Sequence, residues 1–391
     1  MKVYSFISAK GGSGKTILTA TIADFLSQLG KKVLIIDSDG STNGLTLFYL
    51  QDILDHRKNN NKIHRGILEE DRGFTLSDNT VKLSNGVQLI PATYSFNNTD
   101  CFNIETFYNN IHNVVKYFSR PSSGIDFILI DCQAGSDHHT EIVIRPEISN
   151  EIIIVSEYDP ISAAGLERLK GFFSNDLTYE RTWTLLNKVL PEFANSNSDF
   201  LEISKYLPPV LWDAAVVKKY ARKEIALDLE YGSKYTLNII TVLRALMGKD
   251  IKTSLDVWIK EKSEIVKQPI YAEYQNLKLI LEDYKKEDQK SRLMLSLRMM
   301  FLFLLIFSLV LGWFFIPEGY ISENNLFNTV LFSLPLFGAG IILASMYTSK
   351  MNKVDHTYEK EALIKRIQEL EILKHSDPEK ILRVKQRENN L

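Results

Sequence analysis

The sequence predicts an α/β fold, a mainly parallel sheet flanked by helices, followed by an α-helical membrane hairpin and a helical tail. Three observations carry this. Over residues 1–250, short β-branched runs alternate with stretches of helical periodicity. Most of those runs, at 3–7, 32–36, 87–90, 127–130, 152–156 and 182–186, are continuously apolar. That is the pattern of strands covered on both faces, as in a parallel sheet. Finally, residues 299–316 and 326–347 are two long apolar stretches. Each approaches or exceeds the roughly 20 residues that cross a hydrocarbon core.

The length of 391 residues fits one large domain with additions, or two domains. A net charge of −2 shows neither the basic excess of a nucleic-acid binder nor an acidic tail. The two cysteines, Cys101 and Cys132, lie far apart without metal spacing, which indicates no disulfide framework or zinc site and fits a reducing compartment. No secretory signal and no internal repeat are read.

The first strand runs into Ser8-Ala9-Lys10-Gly11-Gly12-Ser13-Gly14-Lys15-Thr16, and a helix periodic at Ile22, Leu26 and Leu29 follows. Strand, glycine-rich turn and helix is the context of a phosphate-binding loop. Gly11, Gly12, Ser13 and Gly14 let backbone N–H groups turn inward, and the helix N-terminus adds its positive dipole end. Lys15 would face the β/γ-phosphates and the Thr16 hydroxyl would ligate Mg²⁺. Ala9 stands where the strict G-x-x-x-x-G-K-[ST] pattern has its first glycine.

Lys10-Gly11-Gly12-Ser13-Gly14-Lys15-Thr16 resembles the deviant Walker A motif of the ParA/MinD family of P-loop ATPases. The resemblance implies an ATP-sandwich dimer in which Lys10 reaches the phosphates of the partner's nucleotide. Asp37 and Asp39 end the second strand, facing the ligand crevice of an α/β sheet. By resemblance, Asp37 lies near the water shell of Mg²⁺ and Asp39 positions the attacking water; the alternative is a pair of helix caps. Residues 126–135 form an apolar strand ending in Asp131 and, beyond it, Gly135. This is a Walker B arrangement, with Asp131 holding Mg²⁺ opposite Thr16 and Gly135 freeing a switch segment. Asn187, before Lys188, resembles an adenine-contacting site and reads equally as a turn residue. Residues 208–226 resemble a loop over the base and its following helix, and a helix over 233–247, ended by Gly248, closes the domain. His56, His64, His138 and His139 are assigned no chemistry.

The resemblance stops near residue 250. Ile270, Tyr274, Leu277, Leu281 and Tyr284 have heptad spacing over little more than two heptads, which fits a short coiled coil or an amphipathic helix on the ATPase domain. A buried hairpin in a soluble domain is the alternative to two membrane helices, and it conflicts with the lack of charge all round. The turn between the apolar stretches has Glu318 and Glu323 but no Lys or Arg. The outer flanks carry Lys285, Lys286, Lys290, Arg292, Arg298, Lys350 and Lys353, which places both in the cytoplasm. The tail, 348–391, has one apolar stripe at Leu363, Ile367 and Leu370, either solvated or bound to residues 270–284 of its own or another chain. Ser376-Asp377-Pro378 reads as a further helix start.

The expected organisation is an ATPase domain at 1–250, a helical linker at 251–298, two transmembrane helices within 299–347 and a charged cytoplasmic tail. The expected activity is Mg²⁺-dependent ATP hydrolysis by a homodimer or higher oligomer at the inner or plasma membrane. There it would control recruitment of a protein partner, with membrane lipid as a second contact. A hairpin does not release from the bilayer as a reversible amphipathic helix does, so the switch acts from a fixed site. The alternatives are an ATP-binding membrane scaffold with little turnover and a ParA-type DNA-partitioning ATPase.

Overall fold

Val3, Tyr4, Phe6 and Ile7 bring apolar side chains to both sides of strand β1 (Lys2–Ser8), so it needs cover on both faces. The computed structural model describes residues 1–59, 64–69, 79–94, 103–193, 204–227, 234–315, 325–351, 357–377 and 380–381. All six expected strands are present: β1, β2 (Val33–Asp37), β4 (Gln88–Ile90), β5 (Phe127–Ala134), β6 (Glu151–Ser156) and β7 (Thr182–Leu186). Two edge strands of two residues each, β3 (Val81–Lys82) and β8 (Lys205–Tyr206), are too short to show a periodicity. Among the described residues the sheet has eight strands in the order β3-β4-β2-β5-β1-β6-β7-β8. Every pairing is parallel except β3 with β4.

The helices start where an Asn or Asp caps them, by accepting from backbone N–H groups left free in the first turn. Asn103 caps α4 (Ile104–Phe118), Asp137 caps α5 (His138–Ile144) and Asp159 caps α6 (Pro160–Phe172). Asp213 does the same for α7 (Ala214–Ala221). Phe107 and Ile111 of α4, Ile142 and Val143 of α5, and Leu166 and Leu169 of α6 pack on Val3, Ile36, Ile130 and Ile154 of the sheet. The alternate strand residues, Tyr4, Phe6, Ile35 and Leu129, point to the other face, over which α1 (Lys15–Gln28) lies. Two shorter helices, α2 (Gly44–Phe48) and α3 (Leu50–Asn59), follow β2.

One expectation is corrected. The helix beginning at Lys234 does not stop at Gly248 but runs to Phe315 as α8. An interior glycine costs a helix only about 1 kcal/mol. Packing outweighs that here: Met247, Ile251, Leu255 and Trp258 are all buried. The Trp258 ring meets the Phe25 ring of α1 edge-on at 5.0 Å, and the Tyr235 and Thr21 hydroxyls lie 3.3 Å apart.

The chain divides into two compact units, one built on Met1–Ile265 and one spanning Val266–Asp377. In the second, α8 is followed by α9 (Asn325–Met351) and α10 (Thr357–Lys374). The tail's apolar stripe lies against residues 270–281 of its own chain: Tyr274, Ile367 and Leu370 form a small core with Ile270, Leu277, Leu281 and Leu373. Polar pairs flank it and set the two helices antiparallel. Arg366 Nε lies 2.9 Å from Glu273 Oε1, Lys360 Nζ 2.5 Å from Asp288 Oδ2, and Tyr284 donates to Glu359 at 3.0 Å.

Further along, among the described residues, one helix is long and apolar enough to cross a membrane, by length and composition, and its most apolar window is unburied. A shorter apolar stretch, Ser333–Thr348, lies in α9. The two meet where Arg298 donates to the Ser345 carbonyl at 3.3 Å and where Gly338 faces Leu305. The acidic turn with Glu318 and Glu323, Lys353, and the helix start expected at Pro378 lie outside the described residues.

Leu370 is 1% exposed in this small core. Leu370→Ala should cost about 2–3 kcal/mol. Amide hydrogen exchange should quicken over 357–374 and 266–288 and stay unchanged over the sheet. Unchanged exchange in the tail would mean that it does not pack on its own chain.

Candidate functional site

The loop between β1 and α1 bends because Gly12 and Gly14 take left-handed conformations, with φ of 83° and 92°. At Gly14 there is a second reason for glycine. A Cβ there would lie 2.4 Å from Asn187 Nδ2. Asn187, at the end of β7, donates to the Ser13 carbonyl at 2.8 Å. Its neighbour Lys188, itself at φ 58°, donates to the Gly12 carbonyl. Asn187 and Lys188 therefore brace the loop from the β7 side. Residues 208–213 tie back to the same strand end through Trp212 N and the Val189 carbonyl at 2.8 Å. α7 follows them, its Tyr220 ring stacked on Phe48 of α2 at 5.7 Å.

Lys15 is buried, and its ammonium donates to Ser8 Oγ at 2.8 Å. Thr16 donates to Asp131 Oδ2 at 2.6 Å. Asp37, at the end of β2, and Asp131, within β5, pair in register and are both fully buried; β5 runs three residues past the acid at which the sequence pattern ends it. Asp37 accepts from Thr46 N at 2.8 Å and Thr46 Oγ1 at 2.7 Å on one oxygen, and from Asp39 N at 3.1 Å on the other. The second oxygen of Asp131 has no hydrogen-bond partner. Burial, then the nearby Asp37 charge, pushes the Asp131 carboxyl up to about 8; burial alone outweighs the Thr46 bonds and pushes Asp37 up to about 6.

An orphaned buried carboxylate oxygen beside a threonine hydroxyl and a second acid is a donor set for a hard divalent cation. Thr16, Asp131 and Asp37 therefore fit Mg²⁺, which would supply positive charge to the phosphates held by the loop. Ser13 Oγ, also buried and without a partner, lies in the same loop.

The structure gives two expected residues different present contacts. Asp39 caps its own loop: one oxygen accepts from Ser41 N, Ser41 Oγ and Thr42 N at 2.8–2.9 Å, the other from Thr42 Oγ1 at 2.6 Å. Lys10 sits between two acids of its own chain, 2.9 Å from both Glu157 Oε2 and Asp159 Oδ2. Glu157 also pairs with Lys188 at 2.8 Å. The Ser162 hydroxyl and N–H, with Lys10, hold the Asp159 carboxyl well below the usual range.

Sequence reasoning missed Ser8, Thr46, Glu157, Asp159 and Lys188. Asp159-Pro160, an acid and a proline directly after a strand, is a helix start that faces the crevice and could have been found. Thr46 has no such signal. His138 pairs with Glu141 at 3.2 Å on the surface, while His139 sits beside Phe107 with its Nδ1 3.7 Å from Asp137 Oδ1 and its Nε2 buried without a hydrogen-bond partner. No metal-holding cluster of His, Cys, Asp and Glu is found among the described residues.

Residues 1–180 match the protein family described as an AAA domain. An uncharacterized ATP-binding protein of Methanocaldococcus jannaschii is 24% identical over 267 residues, 68% of this chain and 95% of the relative. The septum site-determining protein MinD of Synechocystis is 26% identical over 202 residues, 50% of this chain and 68% of its own. Among solved structures, a plasmid partition protein of Borrelia burgdorferi bound to AMPPNP shares the fold at a TM-score of 0.50 and 18% identity. That match covers 63% of this chain and 99% of the other. These likenesses show that the N-terminal part of the chain shares the fold of such proteins.

A carboxyl whose pKa is higher folded than unfolded stabilises the fold at low pH. That contribution fades as pH rises from about 4, the free value, through about 8. Metal-free protein should therefore lose thermal stability between pH 5 and pH 8. Asp131→Asn, which cannot ionise, should melt several degrees higher than wild type at pH 8 and lose Mg²⁺-dependent nucleotide binding. An Asn variant less stable than wild type at pH 8 would contradict the buried-charge reading.

Proposed function

We propose that this chain is a membrane-anchored, ATP-dependent dimerising switch that hydrolyses ATP and controls assembly of a protein partner at the membrane. The observation that carries it is the loop with two lysines in two settings. Lys15 is buried inside the site; Lys10 is at the rim, a third exposed, held only by ion pairs. A lysine at the rim serves its own nucleotide poorly and another copy's well.

ATP phosphates would lie along the amides of Gly11 to Thr16, with Lys15 turning from Ser8 to the β/γ-oxygens. Asn187 is already committed to Ser13 through its amide nitrogen, leaving its carbonyl side for a base. Lys10 leaves Glu157 and Asp159 when a second copy closes over the site. Asp39 takes a water-positioning role once its loop releases Ser41 and Thr42. Each of these bonds is worth about 1–3 kcal/mol net, so nucleotide and partner contacts can compete with them.

Anchoring is supported by the apolar helices, whose side chains stay exposed within their own unit: Phe301, Phe303, Leu336 and Phe337 are each at least 60% accessible. A second reading, an ATP-binding scaffold with little turnover, is favoured by the complete engagement of the Asp39 carboxylate. Steady-state hydrolysis with lipid separates the two.

Mixing tests the trans geometry. Full-length Lys10→Ala and Asp39→Ala proteins should each hydrolyse ATP at least tenfold more slowly than wild type. A mixed dimer has one site with both residues, so mixing should restore a measurable fraction. No restoration, with mixed dimers shown to form, would place Lys10 in cis.

The anchor is tested by extraction. The protein should stay in the membrane pellet through high salt and alkaline carbonate, and leave with detergent. Release by carbonate would make it peripheral.

A further inference from the structure

Ala9 and Gly165 meet with no space between them. A Cβ built on Gly165 would lie 2.6 Å from the Ala9 Cβ and 3.9 Å from its Cα. Carbon atoms pack best at about 3.5–4.0 Å. The Ala9 methyl has no rotamer to swing away, so any side chain at Gly165 must move backbone.

The loop side is the stiffer of the two. Ser8 ends a strand paired on both sides, and its carbonyl accepts from Gly135 N at 2.8 Å. Its hydroxyl accepts from Lys15 and donates to the Lys10 carbonyl at 2.9 Å. α6 is held on one side by Ser162, Leu166 and Leu169 and exposed on the other. A methyl at Gly165 therefore lifts α6. Asp159 caps α6, its carboxylate accepting from Ile161 N and Ser162 N at 2.9 Å while holding Lys10 at 2.9 Å.

The geometry points to Gly165 as a positioning residue of the nucleotide site: its missing side chain, matched to the Ala9 methyl, seats α6 so that Asp159 meets Lys10. The departure of Ala9 from the usual glycine is then one half of a fitted pair. The functional weight of this contact rests on the proposed role of Lys10, but the contact itself is read out independently.

Lysine amines in full-length, detergent-solubilised protein would be acylated competitively and each site's rate measured by mass spectrometry. An ion-paired amine reacts slowly. Gly165→Ala should speed labelling of Lys10 at least threefold relative to the other lysines. In the double variant Ala9→Gly, Gly165→Ala the nearest atom is the residue 9 Cα at 3.9 Å, an ordinary contact. Labelling should then return to the wild-type rate. Ala9→Gly alone should label as wild type.

Unchanged labelling in Gly165→Ala would overturn the inference. So would faster labelling that Ala9→Gly does not reverse, since that is general loosening of α6. Thermal melting is recorded throughout. If Gly165→Ala fails to fold, a double variant that folds and labels as wild type supports the fitted pair, and one that also fails to fold overturns it. Full hydrolysis by Lys10→Ala would remove the catalytic role of Lys10, while the labelling result still decides the role of Gly165.

Discussion

Two carboxylates side by side inside the sheet are the constraint on which the rest of this site depends. Parallel pairing puts Asp37 of β2 level with Asp131 of β5, and nothing of either reaches solvent. Like charges there cannot both ionise cheaply. The surroundings share the cost unevenly. Asp37 has hydrogen bonds on both oxygens, whereas Asp131 has the Thr16 hydroxyl on one and nothing on the other. The asymmetry would direct a bound cation to Asp131, with Asp37 as the fixed acid beside it. Thr46 is central to this, because it donates twice to Asp37 and its hydroxyl also accepts from Ala92 N at 2.9 Å.

A second layer holds the loop in shape from the far side of β1. Lys188 reaches the Gly12 carbonyl, Asn187 the Ser13 carbonyl, and α6 lies against Ala9. These contacts use carbonyl oxygens and one methyl, so the loop N–H groups keep their freedom to meet phosphate. The acids that neutralise Lys188 and Lys10 follow the same strand, β6. Packing and electrostatics are thus coupled: what seats α6 also sets where the rim lysine rests.

The fold was largely legible because the central strands are apolar on both sides, a pattern only a covered parallel sheet satisfies. The Walker-type residues were legible because each stands at the crevice end of an apolar run, Asp37 closing β2 and Asp131 following the apolar part of β5. What escaped was decided by tertiary contact. β3 and β8 exist only as pairings with longer neighbours. Gly248 reads as a helix stop, yet the buried residues after it, Ile251, Leu255 and Trp258, carry the helix onward. Glu157 and Lys188 are thirty-one residues apart and meet only through the β6–β7 pairing. The tail stripe reads equally as a solvated face and as a surface for residues 270–284 of its own or another chain, and only tertiary contact selects its own chain.

That last outcome changes how association has to work. A heptad-like helix and a charged tail invite a permanent link between two chains. In the structure their apolar residues are already used on each other: Tyr274, Ile367 and Leu370 are buried in one chain, and Arg366, Lys360 and Tyr284 find their partners there as well. A second chain would have to displace this packing, forfeiting several buried contacts to gain equivalent ones, with no net drive. On the proposed reading, confinement by the apolar helices would bring two copies together, raising effective concentration without any specific contact. Such confinement would favour encounter equally with and without ATP, so a nucleotide dependence would reside in the loop itself. On the proposed reading Lys10 would supply it, exchanging its ion pairs with Glu157 and Asp159 for a polyphosphate on an opposite copy.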